Sequence, residues 1–139
     1  MERARAPWAS FACDVLWCGE SGHGMRMKLL NNLMSSAHGG AAIRCLLGAR
    51  ARGVEPTFAW SAILSGTGAS SGMESVRWLQ MPERARDLRP IVIKDIALAR
   101  KVLPDSAFVP LFELADLAIS WMARWEQGED QLIETPEPS

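Results

Sequence analysis

The stretch GESGHGMRMKLLNN, residues 19–32, joins a glycine-rich turn to the beginning of a helix. Residues four apart on a helix lie on the same face, one turn from each other, so Lys28 and Asn32 should project side by side. Ser35 continues this face, and Asn31 lies next to it. An ammonium beside a carboxamide can bind a substrate carbonyl and exchange a proton with it. The stretch therefore predicts a polar helix face that is able to carry chemistry.

The same face has a simpler interpretation, because a lysine and an asparagine four residues apart usually form a solvated helix surface. Two features of the surrounding sequence favour a function. Gly19, Gly22 and Gly24 allow the backbone of the turn to approach another body closely. Methionines and leucines on both sides of Lys28 and Asn32 supply apolar surface around the polar face.

Length and composition describe an ordinary globular chain of 139 residues, 48% hydrophobic and 22% charged, which is enough for one domain. The net charge of −1 gives no reason to expect a nucleic-acid or membrane partner. No signal peptide follows the N-terminal arginines, and no apolar run reaches the roughly 18 residues of a membrane span, so we expect a cytoplasmic protein.

Cys13, Cys18 and Cys45 are expected to be buried or half-buried free thiols, and their spacing predicts no metal site.

The hydrophobic pattern predicts an all-α fold of about five helices, at residues 25–52, 56–64, 73–79, 91–103 and 108–125. Residues 82–90 are charged and are expected to be exposed, outside the helices. Residues 14–18 have the composition of a strand, which cannot form a sheet alone. Gly39 and Gly40 lie among small residues in the first helix and indicate close packing or a bend. The six tryptophans fit core and interface packing, and Trp121 and Trp125 could face a partner.

The pattern G-x-x-G-x-G-x-x-x-K-x-x-N-N in residues 19–32 resembles the start of the C-terminal helical domain of the β-hydroxyacid dehydrogenases. This family includes 3-hydroxyisobutyrate dehydrogenase, tartronate semialdehyde reductase and sulfolactaldehyde reductase. The sequence IKDIALA at residues 93–99 resembles the family's K-D-x-x-L-A helix. ILSGTGASSG at residues 63–72 is similar to the loop after the family's second helix. The resemblance covers roughly residues 14–133 and implies the helical fold of the 6-phosphogluconate dehydrogenase C-terminal domain.

The resemblance also implies roles for individual residues. Lys28 corresponds to the general acid and base of hydride transfer, which exchanges a proton with the substrate oxygen. Asn32 corresponds to a residue that holds the substrate, and Asn31 and Ser35 to positions that border it. Lys94 corresponds to a lysine on the cofactor side of the cleft. The implied cofactor is NAD or NADP, and the implied substrate is a small acidic hydroxy acid or semialdehyde.

The sequence departs from the family in what comes before the helical domain. Family members have an N-terminal Rossmann domain whose G-x-G-x-x-G turn binds the dinucleotide, and residues 19–24 show the reverse spacing, G-x-x-G-x-G. The segment before Lys94 is also shorter than in the family and lacks a phenylalanine, which puts cofactor contact on that side in doubt. We therefore expect an irregular lead-in and remnant strand at 1–18, a helical domain at 19–128 and a flexible tail at 129–139.

The resulting hypothesis is the helical part of an NAD(P)-dependent oxidoreductase acting on CH–OH groups, inactive alone because the Rossmann domain is missing. The nucleotide-binding half could be a separate chain. The alternatives are a non-catalytic dimerisation module, since the resemblance implies a homo-oligomer, or the remnant of a truncated gene.

Overall fold

The computed structural model describes residues 16–103 and 105–134, and within them the fold is all-α, as predicted. Five α-helices follow each other along the described chain: α1 (His23–Arg50), α2 (Pro56–Leu64), α3 (Ser71–Leu79), α4 (Pro82–Val102) and α5 (Val109–Glu126). A 3₁₀ turn at Ser106–Phe108 leads into α5. Residues 1–15, which include Cys13 and most of the expected lead-in, and the tail from 135 lie outside the described residues.

Helix α1 is the centre of the domain, because α2, α3, α4 and α5 all pack against it. It has 28 residues and is therefore about 42 Å long. A smaller group of buried side chains fills the space between the first half of α1, α4 and α5: Leu29, Leu33, Ile96, Ala99, Phe112 and Ala115. A larger group fills the other end of the domain: Ala42, Ile43, Leu46, Trp60, Met73, Val76, Ala85, Ala118, Trp121, Met122, Trp125, Leu132 and Ile133.

The glycines of α1 and α3 allow the helices to cross at very short distance, which confirms the close packing predicted for the small-residue stretch. A Cβ atom on Gly40 would lie 1.9 Å from the carbonyl oxygen of Leu114 in α5. A Cβ atom on Gly72 would lie 2.5 Å from the carbonyl oxygen of Ser35 in α1. Real Cβ atoms do not approach backbone atoms so closely, so only glycine fits at these two crossings.

The fourth helix begins earlier than the sequence predicted, at Pro82 rather than near residue 91. Pro82 takes the first helical position, where proline is well tolerated, and Pro90 lies inside the helix without ending it. The first turns are held against the domain by Ala85, which is fully buried, and by an ion pair of 2.8 Å between Arg89 Nε and Glu126 Oε2 of α5. These tertiary contacts oppose the local cost of the internal proline.

The chain after α5 packs back onto the domain. Leu132 and Ile133 are buried in the larger core group, although they belong to no helix. The side chain of Gln80, at the end of α3, makes hydrogen bonds to the backbone of both residues. The packed part of the chain therefore extends past Gly128 as far as Ile133.

Three local expectations from the sequence are corrected by the structure. Trp121 and Trp125 are buried, with their ring centroids 5.9 Å apart, and belong to the core instead of facing a partner. Cys45 is exposed, whereas Cys18 is half-buried as expected. Residues 16–18, the described part of the expected strand, form no strand, and Trp17 is 78% exposed.

The segment Ser106–Glu126 is long and apolar enough to cross a membrane by length and composition alone, with a mean hydropathy of 1.3. A single such helix is weak support for a membrane span, because core helices pass the same test. In this domain its apolar face, with Phe112, Ala115 and Met122, is buried, and α5 packs on both α1 and α4. Glu113 and Asp116 lie on its exposed side. The buried side of this segment therefore belongs to the core of the fold, although only 28% of the apolar window is buried.

Candidate functional site

The glycine-rich turn sets the direction in which α1 begins. Gly19 and Gly22 have φ angles of +87° and +89°, a left-handed conformation that favours glycine. Gly22 is the N-cap of α1 and provides no side-chain cap. His23 lies half-buried at the first helical position, with its Nδ1 atom 3.2 Å from the carbonyl oxygen of Cys18. The turn and the first residue of the helix are therefore joined by a local contact.

The predicted site residues of α1 lie along one side of its first half. Lys28 is exposed and makes no ion pair within residues 16–103 and 105–134. Asn32 is half-buried one turn further along the helix, and Asn31 and Ser35 are exposed next to it. The helix confirms that Lys28 and Asn32 share a face. Within the described residues, no hydrogen bond joins their side chains.

A buried carboxylate on α4 faces this side of α1. Asp95 is only 8% exposed, and its Oδ2 atom accepts a hydrogen bond of 2.8 Å from Nδ2 of Asn32. Its Oδ1 atom lies 3.7 Å from Nζ of Lys94, whose side chain is 71% exposed. The structure thus brings two of the predicted site residues, Asn32 and Lys94, to the same carboxylate. An ion pair that is so exposed on the lysine side contributes little to stability.

A groove of about 200 Å³ lies between α1 and α4 at this point. Asn32, Ser35 and Asp95 form its polar wall, and Ile91, Val92 and Ile96 its apolar wall. Lys28 and Asn31 do not line it and lie beyond it on α1. The combination of an amide, a hydroxyl, a carboxylate and an apolar wall suits a small organic group with a hydrogen-bond donor.

Asp95 is the residue whose importance is least visible in the sequence. A Lys-Asp pair on a helix is normally a solvated pair, and the only signal for a larger role is the resemblance of residues 93–99 to the K-D-x-x-L-A pattern, which implies that the aspartate supports local structure. The contact that makes Asp95 part of the site joins residues 63 positions apart. Such a contact depends on the packing of α1 against α4.

A larger cavity of about 470 Å³ lies elsewhere, between α1, α2 and the loop before α3. Its wall includes His38, Cys45, Ile63, Thr67 and Met73, and none of the predicted site residues contributes to it. Within the part of the chain that the structure describes, no group of three or more histidine, cysteine, aspartate or glutamate residues is placed to hold a metal ion.

Comparison with known families connects this helical architecture to an enzyme class. The model of a family described as NAD-binding of NADP-dependent 3-hydroxyisobutyrate dehydrogenase matches residues 22–132. The chain belongs to this family. The match starts in the turn before α1 and ends at Leu132, so it covers all five helices and both sides of the α1–α4 groove.

Family membership confirms the resemblance to the 3-hydroxyisobutyrate dehydrogenases and their relatives, and it supports an NAD-binding, oxidoreductase-type helical domain. It indicates a nicotinamide cofactor without deciding between NAD and NADP. Neither the comparison with curated proteins nor the comparison with solved structures gave a significant match.

Proposed function

We propose that this chain is the helical domain of an NAD(P)-dependent dehydrogenase that acts on a small 3-hydroxy acid or semialdehyde. In this proposal Lys28 exchanges the proton of the reaction, and Asn32, with Asn31 and Ser35, binds the substrate. The observation that carries the proposal is the Asn32–Asp95 hydrogen bond of 2.8 Å, because it holds the Asn32 amide, the group proposed to bind the substrate, at the edge of a groove. Lys28 lies one helical turn from that amide, on the same face.

The chemistry follows from the groups on this face. A nicotinamide, when bound, supplies or accepts the hydride. Negative charge that develops on the substrate oxygen during reduction is stabilised by the ammonium of Lys28, which donates a proton to that oxygen. In the oxidation direction the neutral amine of Lys28 accepts the hydroxyl proton. Asn32 holds the oxygen-bearing end of the substrate close enough to Lys28 for this exchange.

The described residues fit a part of such a cofactor. Lys94 presents an exposed ammonium 3.7 Å from the groove residue Asp95, which suits a polar or anionic part of the nucleotide. The groove itself, at about 200 Å³, is smaller than the roughly 300–1,000 Å³ of typical ligand pockets. We therefore propose that most of the dinucleotide is bound by a nucleotide-binding domain or a separate nucleotide-binding chain.

Binding of a small hydroxy acid to the 139-residue chain tests this proposal. We expect 3-hydroxypropanoate to shift the amide resonances of α1 around Lys28 and Asn32 in a nuclear magnetic resonance titration. Lys28→Ala should weaken binding about threefold to tenfold, because a charge-assisted contact with the acid is lost. No turnover of the matching semialdehyde with NADH or NADPH is expected from these residues alone, since nothing orients the hydride donor near Lys28.

Lys101→Ala is the matched control, because Lys101 is an exposed lysine near the far end of α4. It should leave the affinity for 3-hydroxypropanoate unchanged. If Lys28→Ala and Lys101→Ala weakened binding of the acid equally, its affinity would depend only on the net charge of the chain. The proposed role of Lys28 would then be wrong.

A second candidate function is that of a non-catalytic dimerisation module. Three apolar side chains of α4 are partly exposed: Leu88 to 40%, Ile91 to 51% and Leu98 to 39%. Helical spacing places them on the same side of α4. Exposed apolar side chains that share one side of a helix are typical of surfaces that associate. This observation supports the homo-oligomer that the sequence suggested.

We accordingly expect the chain to self-associate in sedimentation velocity experiments at micromolar concentration. Leu98→Glu should shift the distribution toward the monomer, because it places a charge in the apolar row. Ile93→Glu is the control, since Ile93 is 40% exposed on another side of the same helix. A wild-type chain that sediments as a monomer, or equal effects of the two variants, would contradict a dimer built on this face.

A further inference from the structure

The orientation of the Asn32 carboxamide determines which kind of substrate group the groove can recognise. We propose that Asp95 is a positioning residue that holds this amide with its NH₂ group toward the carboxylate and its oxygen turned away from that carboxylate, so that Asn32 accepts a hydrogen bond from a substrate hydroxyl. The groove then selects hydroxy acids over acids that lack the hydroxyl. This inference rests on the proposed function, because it assumes that Asn32 contacts the substrate.

The direction of the amide follows from the chemistry of its partner. An ionised carboxylate can only accept hydrogen bonds, so only the NH₂ group of Asn32 can pair with Asp95. The distance of 2.8 Å between Nδ2 and Oδ2 is that of a strong, charge-assisted hydrogen bond. Rotation of the amide by half a turn would place its oxygen against the carboxylate, where two acceptors repel each other. The buried carboxylate therefore selects one of the two amide orientations.

The oxygen of the amide is left available. Oδ1 of Asn32 takes part in no hydrogen bond within residues 16–103 and 105–134, where Nδ2 makes the hydrogen bond of this side chain. In the same part of the chain, no buried side-chain nitrogen or oxygen lacks a partner. Oδ1 must therefore be accessible to solvent. Asn32 forms part of the groove wall, and the proposal is that a ligand in the groove reaches this acceptor.

The residue that anchors the amide is buried and lies on a packed part of α4. Asp95 is 8% exposed and lies next to Ile96, which is 3% exposed and packed in the smaller core group with Leu29 and Leu33 of α1. The packing of Ile96 thus fixes the backbone that carries the carboxylate against α1. Lys94, which approaches the other carboxylate oxygen at 3.7 Å, is mostly solvated and leaves the hydrogen bond to Asn32 intact.

The chemical consequence concerns the two forms of the substrate. While Lys28 is an ammonium, the hydroxyl oxygen of a hydroxy acid can accept from Lys28 and its O–H group can donate to Oδ1 of Asn32. The O–H group turns to Lys28 only when the neutral amine takes up its proton. An aldehyde offers only an acceptor oxygen, which pairs with the ammonium of Lys28 and not with Oδ1. The orientation set by Asp95 therefore favours the alcohol form, and it favours any acid with a hydroxyl over its analogue without one.

Paired titrations of the isotope-labelled chain test the inference, with 3-hydroxypropanoate and propanoate as probes. We expect the wild-type chain to bind 3-hydroxypropanoate about threefold to tenfold more tightly than propanoate, the effect of one hydrogen bond in an open groove. Asp95→Ala should reduce this ratio to nearly one, because the amide of Asn32 can then rotate. It should also move the side-chain amide resonances of Asn32. Asp87→Ala, which removes an exposed carboxylate from the same helix, should change neither.

Asp95→Asn provides a variant of nearly the same shape if the alanine variant folds poorly. Its new amide can pair with either end of Asn32, so the preference for the hydroxy acid should fall below the wild-type value. A preference that persists in both Asp95 variants, even with a lowered melting temperature, would show a purely structural role and overturn the inference. Equal binding of the two acids by the wild-type chain would overturn it as well. Absence of binding of either acid near Lys28 and Asn32 would instead refute the proposed function on which it rests.

Discussion

Gly40→Ala is expected to lower the free energy of unfolding by about 3 kcal/mol, or to prevent folding, because α1 and α5 cross at this residue. The added Cβ atom would lie 1.9 Å from the carbonyl oxygen, 2.6 Å from the carbonyl carbon and 3.1 Å from the Cα atom of Leu114. All three are backbone atoms, so no side-chain rotation can make room. The helices would have to separate, which would loosen the packing of Ala115 and Ala118, 0% and 6% exposed on α5.

Thermal and urea unfolding followed by circular dichroism measure this effect. A loss of about 3 kcal/mol should lower the melting temperature by roughly 10 °C for a domain of this size. Gly48→Ala in the same helix is the control, since its Cβ atom would have as its nearest neighbour Arg52 Nη1, at 3.9 Å. That substitution should be neutral or stabilising by about 0.5–1 kcal/mol, because alanine has the higher helix propensity. Similar effects of the two substitutions would refute the short α1–α5 crossing.

Much of this fold could be predicted from the sequence where local signals and packing agree. Helix α1 has a glycine turn before it and cations with a glycine after it, and α5 has apolar residues at helical spacing. The paired glycines also indicated a close contact, although its partner, Leu114, could not be identified. The sequence does not indicate the start of α4, because Pro90 is a strong local helix breaker. Tertiary contacts outweigh it, namely the burial of Ala85 and the ion pair of Arg89 with Glu126.

The candidate site shows the same division between local and long-range information. Lys28 and Asn32 could be found from spacing on one helix, because their common face is a property of the helix itself. The role of Asp95 could not be derived in this way. Its partner Asn32 is 63 positions away, and the hydrogen bond forms only when α1 and α4 pack together. Periodicity indicates that a residue is inward-facing, but it does not identify the atom that the residue meets.

Gln80 is the other residue whose role the sequence left unseen, and its removal should be the second costly change. Its side chain is 1% exposed and makes three hydrogen bonds with the chain after α5. Oε1 accepts from the backbone N–H groups of Leu132 and Ile133, and Nε2 donates to the carbonyl oxygen of Ile133 at 3.2 Å. One amide thus satisfies three polar groups of a buried segment that has no helix to pair them.

Gln80→Leu keeps the size of the side chain but removes all three hydrogen bonds. The segment that contains Leu132 and Ile133 can respond to this substitution in two ways, and both lower the free energy of unfolding. The segment can stay in place with unpaired buried backbone groups, each costing about 1–3 kcal/mol. It can otherwise detach and expose Leu132 and Ile133, at about 1.5–3 kcal/mol for each side chain. The two side chains exposed by detachment cost about 3–6 kcal/mol together, and detachment is the cheaper route, so we expect Gln80→Leu to lower the free energy of unfolding by about that amount.

Hydrogen exchange and thermal unfolding together distinguish these two routes. Detachment should accelerate amide exchange at residues 132 and 133 while α1 stays protected, whereas unpaired burial should lower the melting temperature without this local change. Gln131→Leu, on an exposed glutamine of the same segment, should alter stability by less than about 0.5 kcal/mol. The loss of stability in Gln80→Glu should lie between the losses in Gln131→Leu and Gln80→Leu, since glutamate keeps an acceptor for both N–H groups and loses the donor to Ile133. Wild-type stability and exchange in Gln80→Leu would show that residues 132 and 133 are held by their apolar side chains alone.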